Sequence, residues 1–554
     1  MHNRLSIISV IACLLFIIAC KENDGSESTG EITGISLDSL TASIKELSSD
    51  SFEGRKPFTN GEKITVDYLQ KKFAALGLEP GNGNSYFQDV PMVNIMATAA
   101  PTMKVQSSKG SFELRGYDDY AIWTDRTDSA QSFNNDELIF AGYGVVAPEY
   151  NWNDYAGIDV KGKVVLVLVN DPGFNAGDTT LFKGKTMTYY GRWTYKYEEA
   201  ARQGAKGCLI IHSTVAASYP FSVQQANHNT SRLQLDNRGK DQQSCNILGW
   251  ISSPATNRLL NAAGMDSTLL SKADQRGFKA LPLNLRVSTS MSIKTAYNNS
   301  KNVIAKIAGS KYPDEYIIYT AHWDHFGIDK PDEKGDSIYN GAYDNATGTA
   351  GLFEIARAFQ KLVPKPERTI VFLAVTAEEQ GLWGSAYYGQ NPVYPLEKTL
   401  ANINMDGLSN HGKVKDIVIV GKGQSELEDL VKEEAEKQGR YLGDEGHPEA
   451  GYYYRSDHFN FAKGGVPSLH FDEGEDMQGK TKEEVKKMQD DYTAKNYHRP
   501  SDEYDSSWNL EGAVLDLELY FRLGNRLANN RIWPDWKPGS EFKALRDKSS
   551  DRRK

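Results

Sequence analysis

His322 and Asp324 stand in the phrase Thr320-Ala-His-Trp-Asp-His325, directly after the apolar run Tyr316-Ile-Ile-Tyr. A neutral imidazole is a good transition-metal ligand, and a nearby carboxylate can hold its second ring nitrogen and fix the tautomer. The same placement also suits a hydrogen-bonded structural histidine at a strand end. Asp344, in Asn340-Gly-Ala-Tyr-Asp-Asn-Ala346, precedes a helical stretch that opens with Gly348. It reads either as an N-cap or as a carboxylate whose two oxygens bridge two cations. Glu378 and Glu379 follow the strand-like Val375-Thr-Ala377. Adjacent carboxylates at a buried strand end repel each other unless cations or protons offset them, whereas a solvated turn would carry them easily. Asp406 repeats the placement after Ile403-Asn-Met405, where an ordinary strand-to-turn exit is the alternative. His498 lies in Tyr497-His-Arg-Pro-Ser-Asp502, a loop ahead of the last helix. Singly, each residue allows an ordinary reading. Jointly, His, Asp, Glu-Glu, Asp and His in order at successive strand ends point to metal chemistry.

The elements that must position these side chains follow from periodicity. After residue 302 the rhythm is strand, helix, strand: Tyr316–Thr320, Gly348–Leu362, Thr369–Val375, Ile403–Met405 and Ile417–Val420. This alternation predicts an α/β domain with a largely parallel mixed sheet flanked by helices, whose ligand site lies at the carboxyl ends of its strands. A helix with Leu427, Leu430, Val431 and Ala435 on one face is punctuated by Ser425 and Glu428 as a capping box and by Gly439 after its end. Trp508 to Asn530 predicts a longer closing helix, and the charged tail from Lys537 a solvated end. Upstream, residues 36–50 and 60–77 read as helices packing on this body, so 36–110 is assigned to N-terminal helices. Between about 110 and 295 the chain is β-rich, with Glu137–Val146 and Lys163–Val169 as strands and a helix near 193–203 leading into Cys208–Ile211. Asn298-Asn-Ser-Lys-Asn302 is a polar seam at its exit.

These phrases, from Asn302 to Trp508, resemble the co-catalytic zinc peptidases of the M28 type. The resemblance implies a zinc-peptidase, phosphorylase/hydrolase-like fold over 298–536. It implies that His322 and Asp406 bind one metal, that Glu379 and His498 bind the other, and that Asp344 bridges them. Glu378 matches the general base and Asp324 the partner of the first histidine. The cofactor implied is two Zn2+, with Co2+ or Mn2+ also suited to such ligands. Three ligand carboxylates against two divalent cations leave one positive charge, which a hydroxide neutralises. The activity implied is aminopeptidase hydrolysis of peptides with a free N-terminus. Tyr453, in Tyr453-Tyr-Arg-Ser-Asp-His458, matches a tyrosine that faces the tetrahedral intermediate, although Tyr452 and Tyr454 flank it and an aromatic structural loop reads equally well. The segment 111–297 resembles an inserted protease-associated (PA) domain, carried by Asp154-Tyr-Ala-Gly-Ile-Asp-Val-Lys-Gly-Lys-Val-Val165 and Glu199-Ala-Ala-Arg-Gln-Gly-Ala-Lys-Gly207. Competing expectations are a carboxypeptidase or dipeptidase on the same site, a one-metal glutaminyl cyclase, a two-metal esterase or phosphodiesterase, and a catalytically silent binding homologue. The cyclase is disfavoured by the presence of both His322 and Asp406.

The chain has 554 residues, 39% hydrophobic and 25% charged, which excludes disordered and fibrous classes and allows several domains. Arg4 followed by the apolar Leu5–Ala19 reads as a signal segment over 1–19. Ile17-Ile-Ala-Cys20 resembles a lipobox, so Cys20 is the expected lipid attachment and 20–35 a flexible tether. An exported lipoprotein anchored on a membrane is the localisation expected. Losing Arg4 deepens the net charge from −10, and so acidic a chain has no electrostatic case for nucleic acid. Of four cysteines, Cys208 and Cys245 are left for the fold, paired or free.

Overall fold

The structure, a computed structural model, describes residues 34–176, 178–240 and 243–549. The expected signal segment, Cys20 and most of the tether lie outside the described residues.

Helices form at Leu37–Leu47 and Asn60–Ala75, close to the expected spans. Ser36 caps the first, its side chain accepting from the Ser39 amide, and Gly77 at φ +76 ends the second. Their buried faces, Leu40, Ile44, Leu47, Leu69 and Phe73, join the core under the main sheet, where Phe73 meets Phe353 edge-on at 5.3 Å. Beyond a short 3-10 turn at Asp50–Arg55, the rest of 36–110 is largely extended: Phe87–Ala99 and Thr102–Ser107 are strands. Burial alternates along both, so a period of two prevails where helices were assigned.

The parallel strands Tyr312–His322, Arg368–Val375, Thr399–Asn404 and Ser468–Leu469 form the half of one mixed sheet whose strand ends carry His322, Glu378-Glu379 and Asp406. Arg368–Val375 is buried at every position, as parallel strands covered on both faces must be. The helices Thr347–Lys361 and Glu511–Asn529 pack together and against these strands. The second is shorter than expected because Trp508 to Leu510 lie ahead of its first turn.

The strand Leu281–Ile307 is antiparallel to Arg368–Val375 at one end and to Ala130–Phe140 at the other, so a single sheet continues into the β-rich half. The polar seam at 298–302 is therefore no break. It lies on this strand, which stays paired with Phe87–Ala99 (Asn298 opposite Met92) while its side chains pass from one core to the next. The β-rich half orders Ala130–Phe140, Val164–Leu168, Gly207–Ile211 and Ile247–Ile251 in parallel, with Trp193–Arg202 and Ser253–Ala262 as helices. Cys208 and Cys245 are buried free thiols.

Three further expectations change. Asp416–Ile419 leaves the main sheet and pairs with Tyr441–Leu442 and Phe471–Glu473. The helix Leu427–Lys437 has no reciprocal box: the Glu428 carboxylate accepts from the Gly423, Gln424 and Ser425 amides without a side-chain cap in return. Through residue 549 the tail is docked, because Trp536 and Phe542 bury their rings and Arg546 donates to the Thr399 carbonyl at 2.9 Å.

Candidate metal centre

His322 ends its strand with Nε2 3.0 Å from Asp406 Oδ1 and 3.1 Å from Asp344 Oδ1. His498 Nε2 lies 3.1 Å from Glu379 Oε2 and 3.3 Å from Asp344 Oδ2. Asp344 thus gives one oxygen to each histidine, and all five expected ligands converge from separate elements. Glu378 stands alongside, its Oε2 3.9 Å from His322 Nε2.

The loop carrying Asp344 is built tightly. Gly341 sits at φ +55, and a Cβ there would fall 2.3 Å from the Asp344 carbonyl oxygen, so the turn requires glycine. The Asp344–Asn345 peptide is cis. Asp502 accepts from the Tyr343 and Asp344 amides at 3.1 Å each. Asn345 donates to the Met405 carbonyl and accepts from the Gly348 and Gly407 amides, tying the Asp344 loop to the Asp406 turn. Ser456 donates to Asp406 Oδ2 at 2.5 Å and is itself held by Asn404.

Burial disfavours every charge here, yet His322 is held well above its ordinary pKa because the carboxylates of Asp406, Glu378 and Asp344 outweigh desolvation. Asp344 is held well below, its bonds to His322 and His498 overcoming burial. Glu378 goes the other way: burial, then the charges of Asp406 and Glu379, push it well up against the opposing pull of His322. The environment separates the base candidate from its neighbours.

Asp324 takes a different part from the one expected. His322 Nδ1 donates to the Asp324 backbone carbonyl at 3.1 Å, with the carboxylate at 3.9 Å. That carboxylate instead accepts the Glu378 amide at 3.0 Å and fixes the start of the Glu378-Glu379 turn. Burial pushes its pKa up to about 7.

Tyr453 does not join the centre. It is buried in an apolar cluster with Val420, Phe459, Trp536 and Phe542, and among the described residues its hydroxyl has no hydrogen-bond partner. Tyr454 donates to Glu541, and Tyr452 is exposed. The tyrosine beside the centre is Tyr497, exposed at 45% and stacked on His498 with ring centroids 3.7 Å apart. Desolvation and the charges of Asp344, Glu379, Glu378 and Asp406 raise its phenol pKa. Adjacency to His498 was the available sequence signal. His325 was also missed: it is fully buried, with Nδ1 2.5 Å from Glu379 Oε1. So was Arg55, whose buried guanidinium donates to the carbonyls of Trp323, Leu47, Asn340 and Gly341.

The donor set fits metal. His322, Asp344 and Asp406 have donor atoms close enough for one ion, and so do His325, Asp344 and Glu379; His498 Nε2 stands beside this second group, near Glu379 and Asp344. The buried Asp324 Oδ2 has no partner, as a charge compensated by nearby cations allows. The nitrogen and oxygen mixture suits zinc and also cobalt or manganese.

An α/β sheet with two histidines and three carboxylates gathered beyond the carboxyl ends of its strands, from strand ends and loops together, defines a candidate metal centre. Residues 302–521 match the model of Peptidase family M28. The chain is 34% identical over 167 residues to an aminopeptidase NAALADL1 of Mus musculus, covering 29% of this chain and 20% of that protein. A probable zinc metalloprotease of Pyricularia oryzae is 37% identical over 110 residues, 20% of each chain. The chain spans about a fifth of the length of these curated relatives. In fold it is similar to the aminopeptidase from Aneurinibacillus sp. strain AM-1, with a TM-score of 0.50 and 20% identity over 91% of this chain and 97% of that one.

Proposed function

We propose that the chain is a two-zinc aminopeptidase acting on peptides with a free N-terminus. The observation that carries this is Asp344, whose two oxygens are divided between His322 and His498 while Glu378 stands beside them unpaired with any other cationic side chain. His322 and Asp406 would hold one ion, His498 and Glu379 the other, with Asp344 between. The chemistry such ions supply when bound is polarisation of the scissile carbonyl and acidification of the attacking water. Glu378 takes the water's proton and delivers it to the departing amine, a role suited to a carboxyl whose pKa is raised. Tyr497 offers its phenol to the developing oxyanion. The name of the mouse relative supports the exopeptidase choice.

The test is a peptide panel with and without chelator. Free N-termini should be cleaved whether or not the C-terminus is amidated, N-acetylated peptides should resist, and chelation should abolish turnover until zinc is restored. Cleavage of acetylated peptides, or indifference to chelator, would overturn the reading.

Tyr497→Phe is expected to lower kcat by about a hundredfold with KM little changed, the cost of one oxyanion donor. Tyr453→Phe should stay near wild type, since among the described residues that hydroxyl has no hydrogen-bond partner. Steady-state kinetics on an aminoacyl anilide checks both, and the reverse pattern would return the role to Tyr453.

We also read 111–297 as a PA domain, supported by the phrase 154–165 leading into the buried strand Val164–Leu168. Cys20 as a lipid anchor is supported by the residues before it. Cys20→Ala should move the protein from the membrane to the soluble fraction, and continued membrane partitioning would reject the anchor.

A further inference from the structure

Where the β-rich half meets the half that holds the metal-centre residues, the turns that carry Arg192 and Arg455 pack together, with the Tyr189 and Tyr454 ring centroids 6.1 Å apart, and among the described residues neither arginine has a counter-ion. Arg192 precedes the helix Trp193–Arg202, and Arg455 ends the turn Tyr452–Tyr454. Among the described residues neither forms an ion pair, unlike Arg202, Arg258 or Arg526 on the same molecule. The charges that act on Arg192 are Arg455, which disfavours its protonation, and the Tyr219 phenol; no carboxylate is among them. Burial first, and then Arg455, bring the Arg192 guanidinium down to about 9.

Their hydrogen-bonding capacity is also unspent. Nε of both side chains is buried and, among the described residues, has no hydrogen-bond partner. The Arg192 side chain makes no hydrogen bond among the described residues, while Arg455 gives one Nη2 bond to the Ala450 carbonyl at 2.6 Å. Each guanidinium lies over an aromatic ring, Arg192 at 5.3 Å from Trp193 and Arg455 at 5.0 Å from Tyr452, which leaves the donor edges free to meet a ligand. Tyr219 lies close enough for both charges to act on its phenol, and its hydroxyl accepts from Gln224 at 3.0 Å. Two adjacent cations that share no anion repel each other, and a planar anion received by both forks removes the repulsion and satisfies the buried donors together. The position ties this pair to the chemistry: Arg455 is followed by Ser456, which holds the ligand carboxylate of Asp406.

We propose that Arg192 and Arg455 form a subsite, shared between the two halves, that takes a carboxylate of the peptide substrate. The proposal rests on the peptidase reading above. The carboxylate has two sources, an acidic side chain downstream of the scissile bond or the peptide's own C-terminus.

The experiment uses the zinc-loaded full chain. One arm compares C-terminally amidated peptides, Leu-led, with Glu against Gln at the second, third and fourth positions; the other compares neutral peptides with free against amidated C-termini. In one arm the carboxylate-bearing member should show a kcat/KM about 10- to 100-fold higher, as for charge-assisted hydrogen bonds from two guanidiniums. The ratio should shrink with added salt. Arg192→Gln should bring it close to one, and Arg192→Lys should restore part of it, a charge without the fork. A folding defect would lower both members of a pair and leave the ratio standing, and thermal melting of each variant identifies it. The same pairs are titrated calorimetrically into zinc-loaded Glu378→Gln protein and its Arg192→Gln double variant. Tighter binding of the carboxylate member, erased by Arg192→Gln, supports the subsite even if no peptide is hydrolysed, an outcome that sinks only the peptidase reading. Ratios of one in wild type in both arms, by rate and by binding, overturn the subsite.

Discussion

Glu378→Gln is expected to lower kcat/KM by about a thousandfold while zinc content stays at its wild-type value. A positioned general base contributes on the order of 10²–10⁴ in rate, and the amide cannot accept the proton. Three observations separate Glu378 from the ligands. Its Oε2 lies 3.9 Å from His322 Nε2, while the carboxylate oxygens of Asp344 and Asp406 lie at 3.1 and 3.0 Å. Its backbone amide is fixed by Asp324, so the side chain is aimed from a rigid turn. Burial and the charges of Asp406 and Glu379 favour its protonated form, which the second half of the reaction needs when the proton passes to the amine. Glutamine is nearly isosteric and removes a charge that burial opposes, so fold and metal sites should survive. Metal analysis of the dialysed variant, with kinetics on the same sample, decides the matter. Near-native turnover would remove Glu378 from the mechanism, and loss of one zinc would make it a ligand.

The catalytic half was legible because its signals are local. An apolar strand followed by His, Asp or Glu places a ligand at a strand end without knowledge of the partner strand, and His322, Glu379 and Asp406 all obey this. Asp344 and His498 lie on loops, and their convergence needs contacts far along the chain, such as Asp502 with the Asp344 amide. Tyr497 and Tyr453 show where local reading fails. Both are tyrosines near a histidine, and only tertiary packing stacks one on His498 and sets the other against Trp536 and Phe542. The tail misled for a related reason: its many charges suggest solvent, but the placement of Trp536, Phe542 and Arg546 docks it. Arg55 carried no sequence signal, since its partners are backbone carbonyls that no residue type reveals.

Asp344→Asn is expected to remove at least one of the two zinc ions and to lower turnover by more than a thousandfold, making it the counterpart of Glu378→Gln. Both changes replace a buried acid by its amide, so they differ little in volume. They differ in geometry. Asp344 sends Oδ1 toward His322 and Oδ2 toward His498, and an asparagine can offer an oxygen to only one side. On the other side its NH2 group faces a cation site and repels the ion. Heat resolves the two variants. Zinc that binds only the folded chain adds about 4 kcal/mol at a thousand times its dissociation constant. On a domain of roughly 200 residues each kcal/mol moves Tm by about 2–4 °C, so saturating zinc should raise the wild-type Tm by roughly 8–16 °C per tightly bound ion. Glu378→Gln should keep this zinc-dependent rise in full, while Asp344→Asn should lose half of it or more. Differential scanning fluorimetry with zinc and with chelator measures both, and an undiminished rise in Asp344→Asn would show that the carboxylate does not bridge.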